Sequence, residues 1–95
     1  MKESTIVAAI LKYLRSINDC FCWKQHGGLY GTAGIPDIIA CIRGRFVALE
    51  VKSPPNDLTE LQRVCIRKIN AAGGIATKVT SVDEVKRVID MVTED

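Results

Sequence analysis

Residues 34–52 read GIPDIIACIRGRFVALEVK, two apolar runs joined by Arg43-Gly44-Arg45. Runs rich in Ile and Val on either side of a short glycine-containing segment are a hairpin signal, predicting strands over 35–42 (IPDIIACI) and 46–52 (FVALEVK). With Arg43-Gly44 as a two-residue turn, the glycine takes the second central position, where a positive φ is needed. Ile42 then faces Arg45, and counting outward sets Asp37 directly opposite Glu50 on one face. Lys52, two residues beyond Glu50, projects from that same face. A turn one residue longer or shorter would put the two carboxylates on opposite faces.

Opposed like charges destabilise a sheet. At about 4 Å and an effective dielectric near 20 the repulsion is roughly 4 kcal/mol. A divalent cation offsets it, because Mg²⁺ prefers carboxylate oxygens, backbone carbonyls and water and keeps positions open for a substrate phosphate. Lys52 would meet the charge that develops on that phosphate. The plain alternative is a pair of solvated strand residues, or salt bridges with Lys52 and the arginines. Two further polar residues lie on otherwise apolar helical stripes. Glu3 precedes Ile6 by three and Ile10 by seven, and Gln62 precedes Cys65 by three and Ile69 by seven, so both turn toward the sheet and need partners there. Glu3 as a first-turn acid favouring the helix dipole, and Gln62 as half of a capping box, are the structural alternatives.

Outward from the hairpin, Ile6, Ile10, Leu14 and Ile17 mark one stripe of an amphipathic helix over 3–17. Residues 20–26 (CFCWKQH) read as a short strand, and 27–34 (GGLYGTAG), with four of the seven glycines, as a loop. Pro54 and Pro55 stop the second hairpin strand. Thr59-x-x-Gln62 is a capping box opening a helix with Leu58, Leu61, Cys65, Ile69 and Ala72 inward, ending at Gly73-Gly74. Residues 75–79 (IATKV) form a fourth strand, and Ser81-x-x-Glu84 opens a last helix with Val85, Val88, Ile89 and Val92 inward. The expected architecture is α/β: a small mixed β-sheet flanked by helices in the order αβββαβα, with residues 1–95 as one domain.

A chain of 95 residues and 10.4 kDa is too short for two independent cores. A hydrophobic content of 47% with 25% charged residues excludes a disordered or low-complexity chain. The longest apolar runs fall short of a membrane span and the start does not read as a signal peptide, so the expectation is a soluble, cytoplasmic protein with no membrane partner. The net charge is +2, but residues 1–80 carry 11 Lys and Arg against 6 Asp and Glu, whereas 81–95 carry 2 against 5. The basic body is compatible with nucleic acid. Cys20, Cys22, Cys41 and Cys65 contain no CxxC pair and lie in apolar stretches, which predicts reduced, buried thiols over a zinc site with His26. His26 reads as a hydrogen-bonded bystander, Trp23 as core, and Trp23 with Tyr30 as the alternative base-stacking pair.

Gly34-Ile35-Pro36-Asp37, Glu50-Val51-Lys52 and Gln62 resemble the PD-(D/E)XK nuclease superfamily, with its restriction-endonuclease-like core. Within it, the Glu3 helix, the Gly-x-Pro-Asp start, the Gln62 helix and the Ala72-Gly73-Gly74 ending resemble the VRR-NUC, or virus-type replication-repair nuclease, family over nearly the whole chain. The resemblance implies a Mg²⁺- or Mn²⁺-dependent endodeoxyribonuclease, usually phage-encoded when the domain stands alone, and similar to Holliday junction resolvases. It makes Asp37 and Glu50 metal ligands with the Val51 carbonyl, Glu3 a direct or water-mediated ligand, Lys52 the group that orients or activates the attacking water, and Gln62 its support. It further implies a homodimer cutting four-way junctions, with flaps or duplexes as other substrates. Lys24, Arg43, Arg45, Arg63 and Lys78 are candidate phosphate contacts. A non-catalytic DNA-binding or assembly subunit is the rival reading, and the intact Asp37, Glu50 and Lys52 set argues against it.

Overall fold

The computed structural model describes residues 1–26 and 31–93. Its elements are α1 (Glu3–Arg15), β1 (Cys20–Lys24), β2 (Ile38–Ile42), β3 (Arg45–Val51), α2 (Glu60–Ala71), β4 (Ile75–Val79) and α3 (Val82–Thr93), the αβββαβα order that the sequence predicts. The strands form one sheet in the order β1-β2-β3-β4. β1, β2 and β3 run antiparallel, and β4 joins β3 in parallel. A parallel neighbour cannot be reached through a tight turn, and α2 supplies the crossover.

Arg43 at φ 50° and Gly44 at φ 83° are both left-handed, as a type I′ turn demands, so the hairpin closes on two residues. The Arg43 N–H donates to the Asp19 carbonyl at 2.9 Å, tying the turn to the start of β1. The ladder runs from Ile42 opposite Arg45 to Ile38 opposite Leu49, the register deduced above. β2 is shorter than the expected 35–42, because Pro36 has no N–H to contribute to a ladder; it is instead buried in the approach to the strand. α1 likewise stops at Arg15, short of Ile17, its last turn tightened by N–H groups of Ser16 and Ile17 bonding three residues back to Tyr13 and Leu14.

Strand alternation sorts the core into two layers. Ile38, Ala40, Ile42, Val47, Leu49 and Val51 face Ile6, Ile10 and Leu14 of α1 and Val85 and Ile89 of α3. On the other side Ile39, Ala48 and Ala76 lie under Ile66 and Ile69 of α2, with Ile35 alongside. β3 is therefore covered on both sides, and residues 47–51 are buried without a break. No helix among the described residues is long and apolar enough to cross a membrane.

Three local expectations are corrected. The inward stripe of α2 is rotated: Leu61 is 61% exposed and Ala72 is also exposed, while Cys65, Ile66 and Ile69 face the sheet. The cause lies at Gly34, whose backbone at φ 81° comes so close that a Cβ would sit 2.4 Å from the Leu61 carbonyl oxygen. This approach orients the first turn of α2. At α3, the Ser81 Oγ does accept from the Glu84 N–H at 3.2 Å, but the Glu84 carboxylate returns to the N–H and hydroxyl of Thr80 rather than to Ser81. All four thiols are free, but only Cys22 and Cys65 are buried; Cys20 is half-buried and Cys41 exposed. Burial, reinforced by Cys22 and then Cys41, pushes the Cys20 thiol up, which keeps it protonated. Cys41 pairs with Phe21 in the ladder, so it points to the opposite side of the sheet from Cys20 and Cys22.

Candidate active site

The α2 side of the sheet is organised in cross-strand rows. Phe21, Cys41 and Phe46 form one, and Trp23, Ile39, Ala48 and Ala76 the next. One step further, at the end of the sheet away from the hairpin turn, the same registers align Gln25, Asp37, Glu50 and Lys78. The last row is polar. Gln25 and Asp37 lie just past the ends of β1 and β2, and the Gln25 N–H donates to the Asp37 carbonyl at 2.7 Å.

Asp37 also closes the ladder with its side chain. β2 has turned away at this point, and the Val51 N–H, which faces the β2 side, donates to Asp37 Oδ2 at 2.9 Å. N–H and C=O of one strand residue point the same way, so the Val51 carbonyl is turned toward Asp37 as well. Lys52 follows with its own N–H on the other edge, bonded to the Val79 carbonyl at 3.0 Å. The backbone that carries Lys52 is thereby held between β2 and β4.

Glu50 is only 3% exposed. Its carboxyl is pushed up to about 8, first by burial, then by a hydrogen bond with Asp37 and by the Asp37 and Glu3 charges, with Lys52 pulling the other way. The proton that Glu50 retains is the structural answer to the repulsion expected from the opposed pair. Glu3, at the start of α1, reaches over the end of the sheet, where its Oε2 accepts from the Ser53 N–H and the Asn56 side-chain amide, each at 3.3 Å. It therefore contributes charge from behind the pair. Among the described residues no three His, Cys, Asp or Glu side chains gather closely enough to form a ready cation cage. Two hard carboxyl groups with a neighbouring backbone carbonyl nevertheless fit Mg²⁺, which takes one or two protein carboxylates and fills its remaining positions with water and phosphate oxygens.

Gln62 is half-buried, and its amide oxygen accepts from the Thr59 N–H at 2.9 Å while Thr59 Oγ1 accepts from the Gln62 N–H at 3.2 Å. The capping-box alternative for this residue describes what the structure holds. The five basic candidates divide. Arg43 and Arg45 sit at the hairpin end, about 17 Å of strand away from Asp37. Lys24 is exposed and, by alternation, on the α1 side. Arg63 and Lys78 converge on Asp57, Arg63 NH2 at 3.3 Å from Oδ2 and Lys78 Nζ at 3.2 Å from Oδ1. With the Leu58 N–H they hold the Asp57 carboxyl down to about 2. Asp57 and Gln25 were not singled out from the sequence. Gln25 would have emerged from extending the β1–β2 register; Asp57 carries no local signal beyond its place in the loop before a helix.

Trp23 is 40% exposed and Phe21 70%, their ring centroids 5.5 Å apart, and Trp23 Nε1 donates to Gln25 Oε1 at 3.2 Å. This corrects the expectation of a core tryptophan: α2 covers the β3–β4 half of the sheet and leaves β1 open on that side. The first half of the glycine-rich stretch, residues 27–30 and Tyr30 with them, lies outside the described residues.

The fold recurs in solved structures. One described as a VRR_NUC domain protein superposes with a TM-score of 0.78 at 19% identity, covering 95% of this chain and 86% of the other. Another, described as a VRR_NUC domain, gives a TM-score of 0.77 at 19% identity and covers 93% of this chain and 94% of the other. No protein-family model and no curated protein sequence matches the chain. The fold is that of the VRR_NUC domains.

Proposed function

From the VRR_NUC fold and the carboxyl pair at the end of its sheet, we propose that this chain is a metal-dependent endonuclease hydrolysing phosphodiester bonds in DNA. The observation that carries this reading is Asp37 set opposite the buried Glu50, with Lys52 on the same strand end. Burying a second carboxyl beside the first destabilises the fold, and the nearby Lys52 offsets it only in part. Placing a divalent cation is a purpose that such a pair serves.

Asp37, Glu50 and the Val51 carbonyl would hold Mg²⁺ or Mn²⁺, which when bound polarises a phosphate and makes its water a stronger nucleophile at neutral pH. To serve as a ligand Glu50 would have to give up its proton, so binding of a cation there would be coupled to proton release. The Asp37 carboxylate stays oriented by the Val51 N–H. Lys52, its backbone pinned to β4, presents its ammonium to the phosphate oxygens as charge develops on them and orients the attacking water. Glu3 keeps the loop after β3 in place through Ser53 and Asn56 and adds negative potential at the cation site.

Branched DNA, such as a four-way junction, is the substrate we assign, with a homodimer placing two sites for paired cuts. Sequence resemblance supports these finer assignments. The test is a cleavage assay on labelled four-way junction, flap and linear duplex, with Mg²⁺, Mn²⁺ or EDTA, beside the Lys52→Ala protein. Metal-dependent paired nicks in the junction, lost in the variant, are expected. Tight binding without cleavage of any substrate would refute the enzyme reading in favour of a binding module.

A further inference from the structure

Asp57, in the loop between β3 and α2, is exposed, yet three donors meet on its carboxylate. Oδ1 accepts from the Leu58 N–H at 2.7 Å and from Lys78 Nζ at 3.2 Å, and Oδ2 from Arg63 NH2 at 3.3 Å. The same Arg63 nitrogen donates to the Leu58 carbonyl at 3.2 Å, which orients the guanidinium. Two cations and a backbone N–H around two oxygens make up the donor set by which proteins hold a phosphodiester. Asp57 supplies one negative charge against two positive, so it is an incomplete counter-ion. It is also weakly held, because exposed ion pairs trade readily with solvent and other anions.

The location gives this cluster its meaning. Lys78 is the ladder partner of Glu50 on β4, one strand spacing of about 4.8 Å away, and Arg63 follows Gln62 in the first turn of α2. The Lys78 ammonium nevertheless pairs with Asp57. We propose that Lys78, Arg63 and the Leu58 N–H form a backbone-phosphate subsite flanking the Asp37–Glu50 pair, and that Asp57 occupies it in the free protein until a DNA phosphate displaces it. The proposal rests on the nuclease reading and deepens it by assigning where the strand beside the scissile bond is gripped. It also gives the free protein a reason to bind DNA more weakly than its basic side chains allow.

The experiment is binding of a short fluorescent duplex in EDTA, where no cleavage occurs, as a function of salt, for the unmodified protein, Asp57→Asn and Asp57→Ser. Both replacements keep an acceptor for the Leu58 N–H, and thermal unfolding of each verifies the fold. Freeing one net positive charge steepens the salt slope by about 0.9, and near 0.1 M salt this is about an eightfold tighter complex. Adding Lys78→Ala or Arg63→Ala to Asp57→Asn should return the affinity to about that of the unmodified protein. An Asp57→Asn protein that folds, but binds with unchanged affinity and slope, overturns the subsite while leaving the nuclease reading standing. A gain that survives loss of both Lys78 and Arg63 overturns it too. Unmodified protein that binds neither the duplex nor a four-way junction, in EDTA or in Ca²⁺, overturns both. Inorganic phosphate is the second probe: if it competes with the duplex at the phosphate concentration contributed by the DNA itself, the subsite belongs to a free anion and not to a DNA backbone.

Discussion

Replacing Glu50 by Gln removes a carboxyl that the fold holds in an unfavourable place, and the metal-free protein should become more stable. Glu50 is pushed from 4.5 up to about 8 by burial and by Asp37. At 1.36 kcal/mol per pH unit the ceiling on this cost is about 5 kcal/mol. Even buried sites respond with an effective dielectric nearer 20 than 4, so roughly half of that ceiling, about 2–3 kcal/mol, is the working figure. Below about pH 4.5 Glu50 is protonated in folded and unfolded chains alike, and the two proteins should be equally stable. As pH rises, the unfolded chain releases this proton while the folded chain keeps it, so the unmodified protein loses stability between about pH 4.5 and 8. Glu50→Gln does not titrate, and its amide still donates to Asp37. Asp57 and Glu84, whose carboxyls are lowered, lose their contribution as pH falls but do so in both proteins and cancel from the difference. Thermal unfolding in EDTA should therefore show a gap that opens with pH and reaches about 10 °C at pH 8 for a domain this size. Mg²⁺ should reverse the order by stabilising only the chain that binds it. A gap independent of pH, or a less stable Glu50→Gln protein at pH 8, would refute the account of Glu50 as a strained metal ligand.

Further outcomes follow from the same geometry. Lys52→Ala should slow cleavage by about 10²- to 10³-fold with an unchanged circular dichroism spectrum, as for loss of one positioned charge donor. Gln62→Ala, if the residue only completes the capping box, should lower stability by about 1 kcal/mol in urea and leave the cleavage rate within about twofold. Gly34→Ala forces a Cβ against the Leu61 carbonyl at a positive φ, and should destabilise by about 2–4 kcal/mol in the same urea titration. Leu49→Ala, fully buried beneath α1 and α3, should cost about 3 kcal/mol, read as a lower urea midpoint at unchanged slope.

Element order was readable along the chain because each signal is local: a helical stripe, a capping residue, a glycine after a helix, a proline that ends a strand. The register of the central hairpin was readable for the same reason. A two-residue turn with Arg43 and Gly44 both at positive φ admits one pairing, and it sets Asp37 across from Glu50. The stripe of α2 misled because periodicity marks apolar spacing without marking which side a neighbouring backbone will approach. Gly34 packs against Leu61 and Gln62, turning Cys65 and Ile66 inward and Leu61 outward. The open aromatic surface at Phe21 and Trp23 was equally hidden, since a strand sequence does not record how far across the sheet a helix will reach.

What the sequence by itself determined is the chemistry of the hairpin: two carboxyls and a lysine on one face, brought together by contacts within about fifteen residues. Only the tertiary structure decided what stands around them. The offset of β4 against β3 follows a crossover through a whole helix, and it is this offset that sets Lys78 beside Glu50. The pairing of β1 with β2 brings Gln25 to Asp37 across a glycine-rich connection. Glu3 and Asn56 meet from 53 residues apart, and Asp57 and Lys78 from 21. Local turn geometry can be counted from residue to residue, whereas these partners are chosen by how helices and sheet pack together, an outcome of the whole core that no single stretch encodes.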